Sequence, residues 1–238
     1  MTFRRIAPSY ILPARHDLWE QLFARLSPGD IVVANPANGP GDQVDAGWVD
    51  VITEAHNRNL VVLGYVPCAY GLFEYRWRDG AEPTRVAHVP RLTGRWSGYR
   101  PDGIFLDEFP WRADGDVDQL AASILHARRI TTPRATSLDA ARVVLNIGAV
   151  PDAGLLNRLP VVRCVIVHEN RDPNGPSIDD IGVPPSTLIS PRRQGWLSYN
   201  DPDPERTMGR LEELGWGYGY STTDPAPLGN PWDGDPNT

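Results

Sequence analysis

The sequence contains no lysine; all 23 of its basic residues are arginine. That fits a GC-rich coding background and carries no mechanism of its own. Cysteine is nearly absent, with two in 238 residues. Cys68 and Cys164 lie far apart, which excludes a disulfide framework and matches no zinc spacing, so both read as free thiols. Long apolar runs are missing too. None approaches the roughly 20 residues that a membrane span needs, so no membrane partner is expected. The basic start Met1-Thr2-Phe3-Arg4-Arg5-Ile6 leads into strand-like sequence, without the apolar stretch of about 7–15 residues that marks a secretory signal. A basic face is lacking as well: the net charge of −7 argues against nucleic acid as a partner.

The familiar catalytic motifs are also missing. The loop Asn35-Pro36-Ala37-Asn38-Gly39-Pro40-Gly41 has no Gly-Lys-Ser/Thr, and two of its positions are prolines without an N–H to offer a phosphate. There is no Gly-x-Ser-x-Gly elbow and no HExxH. His168 with Glu169 has no evident third ligand. Neither a cofactor nor a metal is expected.

What the sequence does contain is a repeating rhythm of short β-branched runs, turn residues and helical patterns. Strands are predicted at Ile6–Leu12, Ile31–Ala34, Leu60–Tyr65, Ile104–Leu106, Ala141–Asn146, Val161–Val167, Trp196–Tyr199 and Trp216–Thr222. Helices are predicted at His16–Leu26, about Asp45–Asn59, Val117–Arg129 and Glu205–Leu214. The helices after strands five and six read as short or irregular (Pro151–Leu159, Ile178–Val183). Near-continuous apolar strands alternating with helices mean parallel strands buried on both faces. Eight of them without a dinucleotide fingerprint predict one α/β domain, a (β/α)8 TIM-type barrel over residues 1–224. A Pro/Gly/Asp-rich tail over 225–238 stands where an eighth helix would be.

In such a barrel the chemistry sits where strands end and βα loops begin. Polar residues collect there: Tyr10, Asn35, Tyr65, the acidic pair Asp107-Glu108, Asn146, His168-Glu169, Tyr199 and Tyr220. An acid set directly against Ile104-Phe105-Leu106 is costly to ionise, and a scaffold has no need of it. The same holds for Glu169 after Val165-Ile166-Val167. Two carboxyl groups on one cleft are what glycoside hydrolysis requires, set about 5 Å apart for retention or about 6.5–9.5 Å for inversion. Strands four and six are not neighbours, so Asp107 and Glu169 are expected to face each other across the mouth at one of these spacings. Glu108 joins them only if the chain has already turned into the loop, because successive strand residues point to opposite sides. Tyr65, Tyr70, Phe73, Tyr75, Trp77 and Trp111 offer flat faces suited to pyranose rings.

These residues together resemble the spherulin-4-like (spherulation-specific family 4) proteins. The resemblance runs almost end to end. It rests on Pro8-Ser9-Tyr10 with Trp19, the Asn35–Gly41 loop, Gly64-Tyr65-Val66 with Tyr70-Gly71, Asp102-Gly103-Ile104-Phe105-Leu106-Asp107-Glu108, the surroundings of Asn146, the strand leading to Glu169, and Tyr220 to Trp232. It implies a (β/α)8 glycoside hydrolase, endo-acting on an α-1,4-linked galactosamine or N-acetylgalactosamine polysaccharide. By the resemblance, Asp107 is the nucleophile or stabilising carboxylate, Glu169 the general acid/base, and Glu108 a residue that orients substrate. Tyr10, Asn35, Tyr65, Tyr70, Asn146, His168, Tyr199 and Tyr220 are the expected substrate-binding residues. The chain departs from the family pattern at His168, where an aromatic residue is usual, and at Asn146-Ile147-Gly148, where Asn-Pro-Gly is usual. The other reading is a non-catalytic carbohydrate-binding or adhesion module, such as a phage tail or cell-surface component. Either function implies an extracellular or virion-associated place of action, while the lack of a signal pattern leaves a cytoplasmic one open.

Overall fold

A computed structural model describes residues 2–68, 89–112, 117–130, 143–160, 162–170 and 175–223. The segment carrying Tyr70, Phe73, Tyr75 and Trp77, and the tail 225–238, lie outside the described residues. Eight strands form a closed, wholly parallel barrel in chain order: β1 Arg4–Ser9, β2 Ile31–Ala34, β3 Val61–Pro67, β4 Gly103–Asp107, β5 Val143–Asn146, β6 Cys164–Asn170, β7 Gln194–Ser198 and β8 Tyr218–Ser221. Closure comes from β1 against β8, with Arg4 opposite Tyr218 and Arg5 opposite Gly219. Every residue of β2, β4, β5 and β7 is buried, as expected of strands that face side chains inside the barrel and helices outside it.

Helices between strands supply the outer layer: α1 His16–Ala24, α2 Ala46–Asn57, α3 Val89–Arg95, α4 Val117–Ile130, α5 Ala153–Arg158, α6 Ile178–Ile181 and α7 Pro204–Glu213. α5 and α6 are short, in line with their irregular patterns. Three loop acids are helix caps and not cleft residues: Asp45 accepts from the Trp48 N–H, Asp152 from Leu155 and Asp203 from Arg206. α3 has no counterpart among the sequence expectations. Its Val-Pro-Arg-Leu-Thr-Gly-Arg sequence holds a proline and a glycine, both poor helix formers, and packing decides the conformation there. β6 also differs from expectation. It starts at Cys164, three residues later than predicted, and continues through His168, Glu169 and Asn170.

The lower end of the barrel explains part of the Asp102–Glu108 motif. Asp102 Oδ2 accepts the Val62 N–H at 2.9 Å and lies 3.1 Å from His56 Nε2, deep in the core. Asp102 therefore ties α2 and β3 to β4, while the other end of the motif reaches the mouth. Nearby, Gly64 admits a close approach. A Cβ there would lie 2.3 Å from Cδ2 of Trp96, a fully buried ring whose indole N–H donates to the Tyr65 carbonyl. Gly64→Ala is expected to cost about 3 kcal/mol in denaturant unfolding, because the rigid indole has no room to shift.

Candidate active site

The inner face at the upper rim is built by alternation along each strand. Tyr65 and Phe105 are register partners on β3 and β4, their rings stacked at 6.3 Å. Asp107 ends β4 two residues on. Asn146 ends β5 and continues the ladder beside it. The Tyr65 hydroxyl donates to Asp107 Oδ2 at 2.7 Å, and the Asn146 amide donates to Asp107 Oδ1 at 2.6 Å. The same amide nitrogen donates to Glu169 Oε2 at 2.8 Å. The two carboxyl oxygens that share it therefore lie within roughly 5.5 Å of each other, close to the ~5 Å associated with retaining glycosidases.

Glu169 reaches the inner face through an irregularity. Ile166 pairs with Gly195 but His168 pairs with Trp196, so Val167 is left over as a bulge. One extra residue exchanges the faces of everything beyond it. Glu169 consequently turns inward, in line with Leu197 and Tyr220. His168 turns outward and stacks on Trp196 at 3.7 Å between ring centroids. This corrects the expectation that His168 touches substrate. The imidazole fills the place of a flat aromatic ring on the outer face, and burial lowers its pKa to about 4, leaving it neutral. The sequence carries no signal for the bulge, since Val167 is an ordinary strand residue. The Ile166 carbonyl beside it accepts both the Ile147 and Gly148 N–H groups, at 3.2 and 3.1 Å. A proline at position 147 would lose the first of these bonds.

Glu108 adopts φ +50, so the chain leaves the strand at that residue. It is half-buried. Its influence falls on the β3 side. Burial first, and then the charges of Asp107 and Glu108, hold the Cys68 thiol well above its ordinary range. The Tyr65 hydroxyl is likewise raised by burial and by Asp107, which keeps it a proton donor. Asp107 itself is pushed up from 3.8 to about 6, by burial first and then by the Glu169 charge; its bonds from Tyr65 and Asn146 oppose the rise.

Of the other expected residues, Tyr10 is half-buried and meets Tyr65 edge-on at 5.9 Å. Asn35 is buried; its Oδ1 accepts the Gly39 N–H at 2.6 Å and fixes the Asn-Pro loop, while its Nδ2 meets no acceptor among the described residues. Tyr199 and Tyr220 are buried after β7 and within β8. Tyr70 lies outside the described residues. Among the described residues, no group of three or more His, Cys, Asp or Glu is placed to hold a metal ion.

An exchange of Tyr65 for phenylalanine removes a donor from the ionised carboxyl while leaving the ring. In Tyr65→Phe the Asp107 pKa should rise further, and any activity that needs ionised Asp107 should fall about tenfold near pH 6. A pH–rate profile compared with that of the parent checks this.

By structure, the chain is similar to Sph3 of Aspergillus clavatus in complex with GalNAc, with a TM-score of 0.68, 19% identity and coverage of 97% of this chain and 94% of that one. It is also similar to an endo-β-N-acetylglucosaminidase from Cordyceps militaris, with a TM-score of 0.53, 13% identity and coverage of 83% and 71%. At these identities the likeness is one of fold, and the fold is one that glycosidases use. No curated protein matches by sequence. The model of spherulation-specific family 4 matches residues 5–227, from the first strand to beyond the last, and the chain belongs to that family.

Proposed function

We propose that the protein is an endo-acting glycoside hydrolase of an amino-sugar polysaccharide, of the α-1,4-linked galactosamine or N-acetylgalactosamine class. One observation carries this reading: Asp107 and Glu169, from strands that are not neighbours, are held on the two hydrogens of the single Asn146 amide. That spacing suits attack by one carboxylate at the anomeric carbon and protonation of the leaving oxygen by the other. In this scheme Asp107, whose two oxygens each accept a bond, is the attacking or stabilising carboxylate. Glu169, farther out on β6, is the general acid and then the base for water. Glu108 stands at the turn into the loop and orients substrate there. Tyr10, Asn35, Tyr65 and Tyr220 line the way in. A relative of the same fold that holds GalNAc supports the choice of sugar. An enzyme for such a polymer would act outside the cell or at a virion surface.

The role of Asp107 fixes the sign of its pH dependence. With an attacking carboxylate near 6, kcat/KM should fall as pH drops through about 6. Were Asp107 the proton donor, kcat/KM would fall as pH rises through the same value. The direct assay is release of reducing ends from α-1,4-linked N-acetylgalactosamine polymer, with NMR of the first anomer formed. New α-anomer ends are expected. Binding of the polymer without any product on long incubation would replace the hydrolase with a carbohydrate-binding module.

A further inference from the structure

We propose that His168 is a positioning residue for Glu169: its ring, stacked on Trp196 outside the barrel, holds the bulge at Val167 in the phase that turns Glu169 into the cleft. The proposal rests on the glycan-cleaving reading above and deepens it, by naming what keeps the general acid in place. Two phases of β6 compete. In the observed one Ile166 pairs with Gly195, His168 with Trp196 and Glu169 with Leu197, and Val167 is left over. Without the extra residue Val167 would stand opposite Trp196, His168 would point into the cleft, and Glu169 would lie against the helical layer. The observed phase gives up a ladder position at the bulge, and something must offset that loss.

The outer face offers it. His168 and Trp196 are register partners, and their rings lie 3.7 Å apart between centroids with planes 23° from parallel. Trp196 is buried and is itself braced edge-on by Trp216 at 5.5 Å, whose indole N–H donates to the Gly182 carbonyl at 3.0 Å. The indole of Trp196 therefore presents a fixed flat face to whichever residue of β6 comes opposite. A planar ring covers that face more completely than the branched side chain of Val167 does. Neither His168 Nε2 nor Trp196 Nε1 meets a hydrogen-bond partner among the described residues. Contact between the two faces is what joins the pair.

On the cleft side, small distances depend on this choice. Glu169 Oε2 takes its bond from the Asn146 amide at 2.8 Å, and its stem passes over Gly148, where an added Cβ would lie 3.5 Å from the Glu169 Cβ. Directly beyond it the ladder resumes: Asn170 pairs with Ser198, and its carbonyl accepts the Tyr199 N–H at 2.9 Å. Glu169 thus stands between two residues of β6 that β7 holds. A slip of one residue at position 168 carries its carboxyl to the opposite side of the strand. His168 acts through the strand and not by touching the sugar.

The test is His168→Val in the full chain. Valine then occupies both 167 and 168, and the indole no longer distinguishes them. Against α-1,4-linked N-acetylgalactosamine polymer, kcat should fall about tenfold with KM within about twofold of the parent, since the general acid and not the binding surface is displaced. Carbon NMR of protein labelled at its aspartate carboxyls reads the same displacement without turnover. Loss of the Glu169 charge lowers the Asp107 pKa from its value of about 6, and Glu169→Gln gives the size of that fall. In His168→Val the Asp107 pKa should move most of the way to the Glu169→Gln value, while Tyr65, Cys68, Glu108 and Asn146, the other groups beside it, are unchanged. His168→Ala, which leaves Val167 to cover the indole alone, should show the larger displacement. His168→Phe keeps a flat ring without a titratable nitrogen, and should hold kcat within about twofold of the parent and the Asp107 pKa where it was. A parental pKa in His168→Val and His168→Ala overturns the proposal, and so does a displaced one in His168→Phe. If the parent cleaves no polymer, the hydrolase reading falls, and the titration still decides whether His168 places Glu169.

Discussion

Asp107→Asn should abolish hydrolysis and yet make the protein more stable. Loss of the attacking carboxylate should lower kcat by about 10³-fold or more, since the oxygen that forms or stabilises the intermediate is replaced by a weakly nucleophilic amide. Glu169→Gln should cost a comparable factor, because the leaving oxygen then departs unprotonated. The stability arm follows from the raised pKa of Asp107. Its folded value of about 6 stands above the ordinary 3.8, so the folded state binds the proton more tightly than the unfolded chain. The resulting stabilisation is fully present below about 4 and is lost as pH rises through about 6. At neutral pH the buried, ionised carboxyl therefore costs about 3 kcal/mol. Asparagine has no charge to bury and keeps an oxygen for one of the two donors. A gain of about 2 kcal/mol at pH 7 is expected, shrinking toward zero at pH 4, and chemical denaturation at both pH values reads it. A variant that is inactive but less stable at pH 7 would show that Asp107 is a scaffold acid held by its partners and not a functional one held against burial.

Asn146 carries the second large effect. Its amide nitrogen gives one hydrogen to each carboxyl, so it both sets their spacing and offsets their repulsion. Asn146→Asp keeps the shape and replaces that donor by an acceptor. Three carboxyls would then meet within hydrogen-bond distance, and like charges so placed cannot all ionise. The added group would titrate with a raised pKa in the folded state, giving stability present at low pH and lost as pH rises. The variant should approach parental stability near pH 4 and fall below it by about 3 kcal/mol at pH 7. Activity should drop by about 10²-fold or more across the range, because the bridge is missing whether or not the protein is folded. Asn146→Ala separates the two effects. It removes the bridge without adding charge, and should lose activity with a smaller, nearly pH-independent loss of stability. Thermal melts and rate profiles of both variants over pH 4–8 distinguish these outcomes.

Local pattern was enough to place most of the architecture. β-branched runs at strand length, each followed by a helical or turn signal, fix eight parallel strands, because a strand buried on both faces must be apolar throughout. The polar residues that interrupt those runs at their ends had to be at the mouth, since a barrel's strands all run the same way. Asp107, Asn146, Glu169 and Tyr65 could therefore be named from sequence alone. Which of these acids meet did not follow from strand alternation: Glu169 faces inward only through the bulge at Val167, and the chain leaves the strand at Glu108.

Pairing between strands decided the rest. Whether Glu169 or His168 faces the cleft depends on one leftover residue, Val167, which exists only in the register of β6 against β7; no periodicity within β6 reveals it. The raised pKa of Asp107 and the single amide that holds both carboxyls are likewise properties of neighbours brought in from β3, β5 and β6. Burial and electrostatic coupling act through space over a few ångströms, across residues far apart along the chain. The sequence determined by itself which acids end up at the mouth of the barrel. Only the tertiary structure decided which of them meet, at what distance, and at what cost in ionisation.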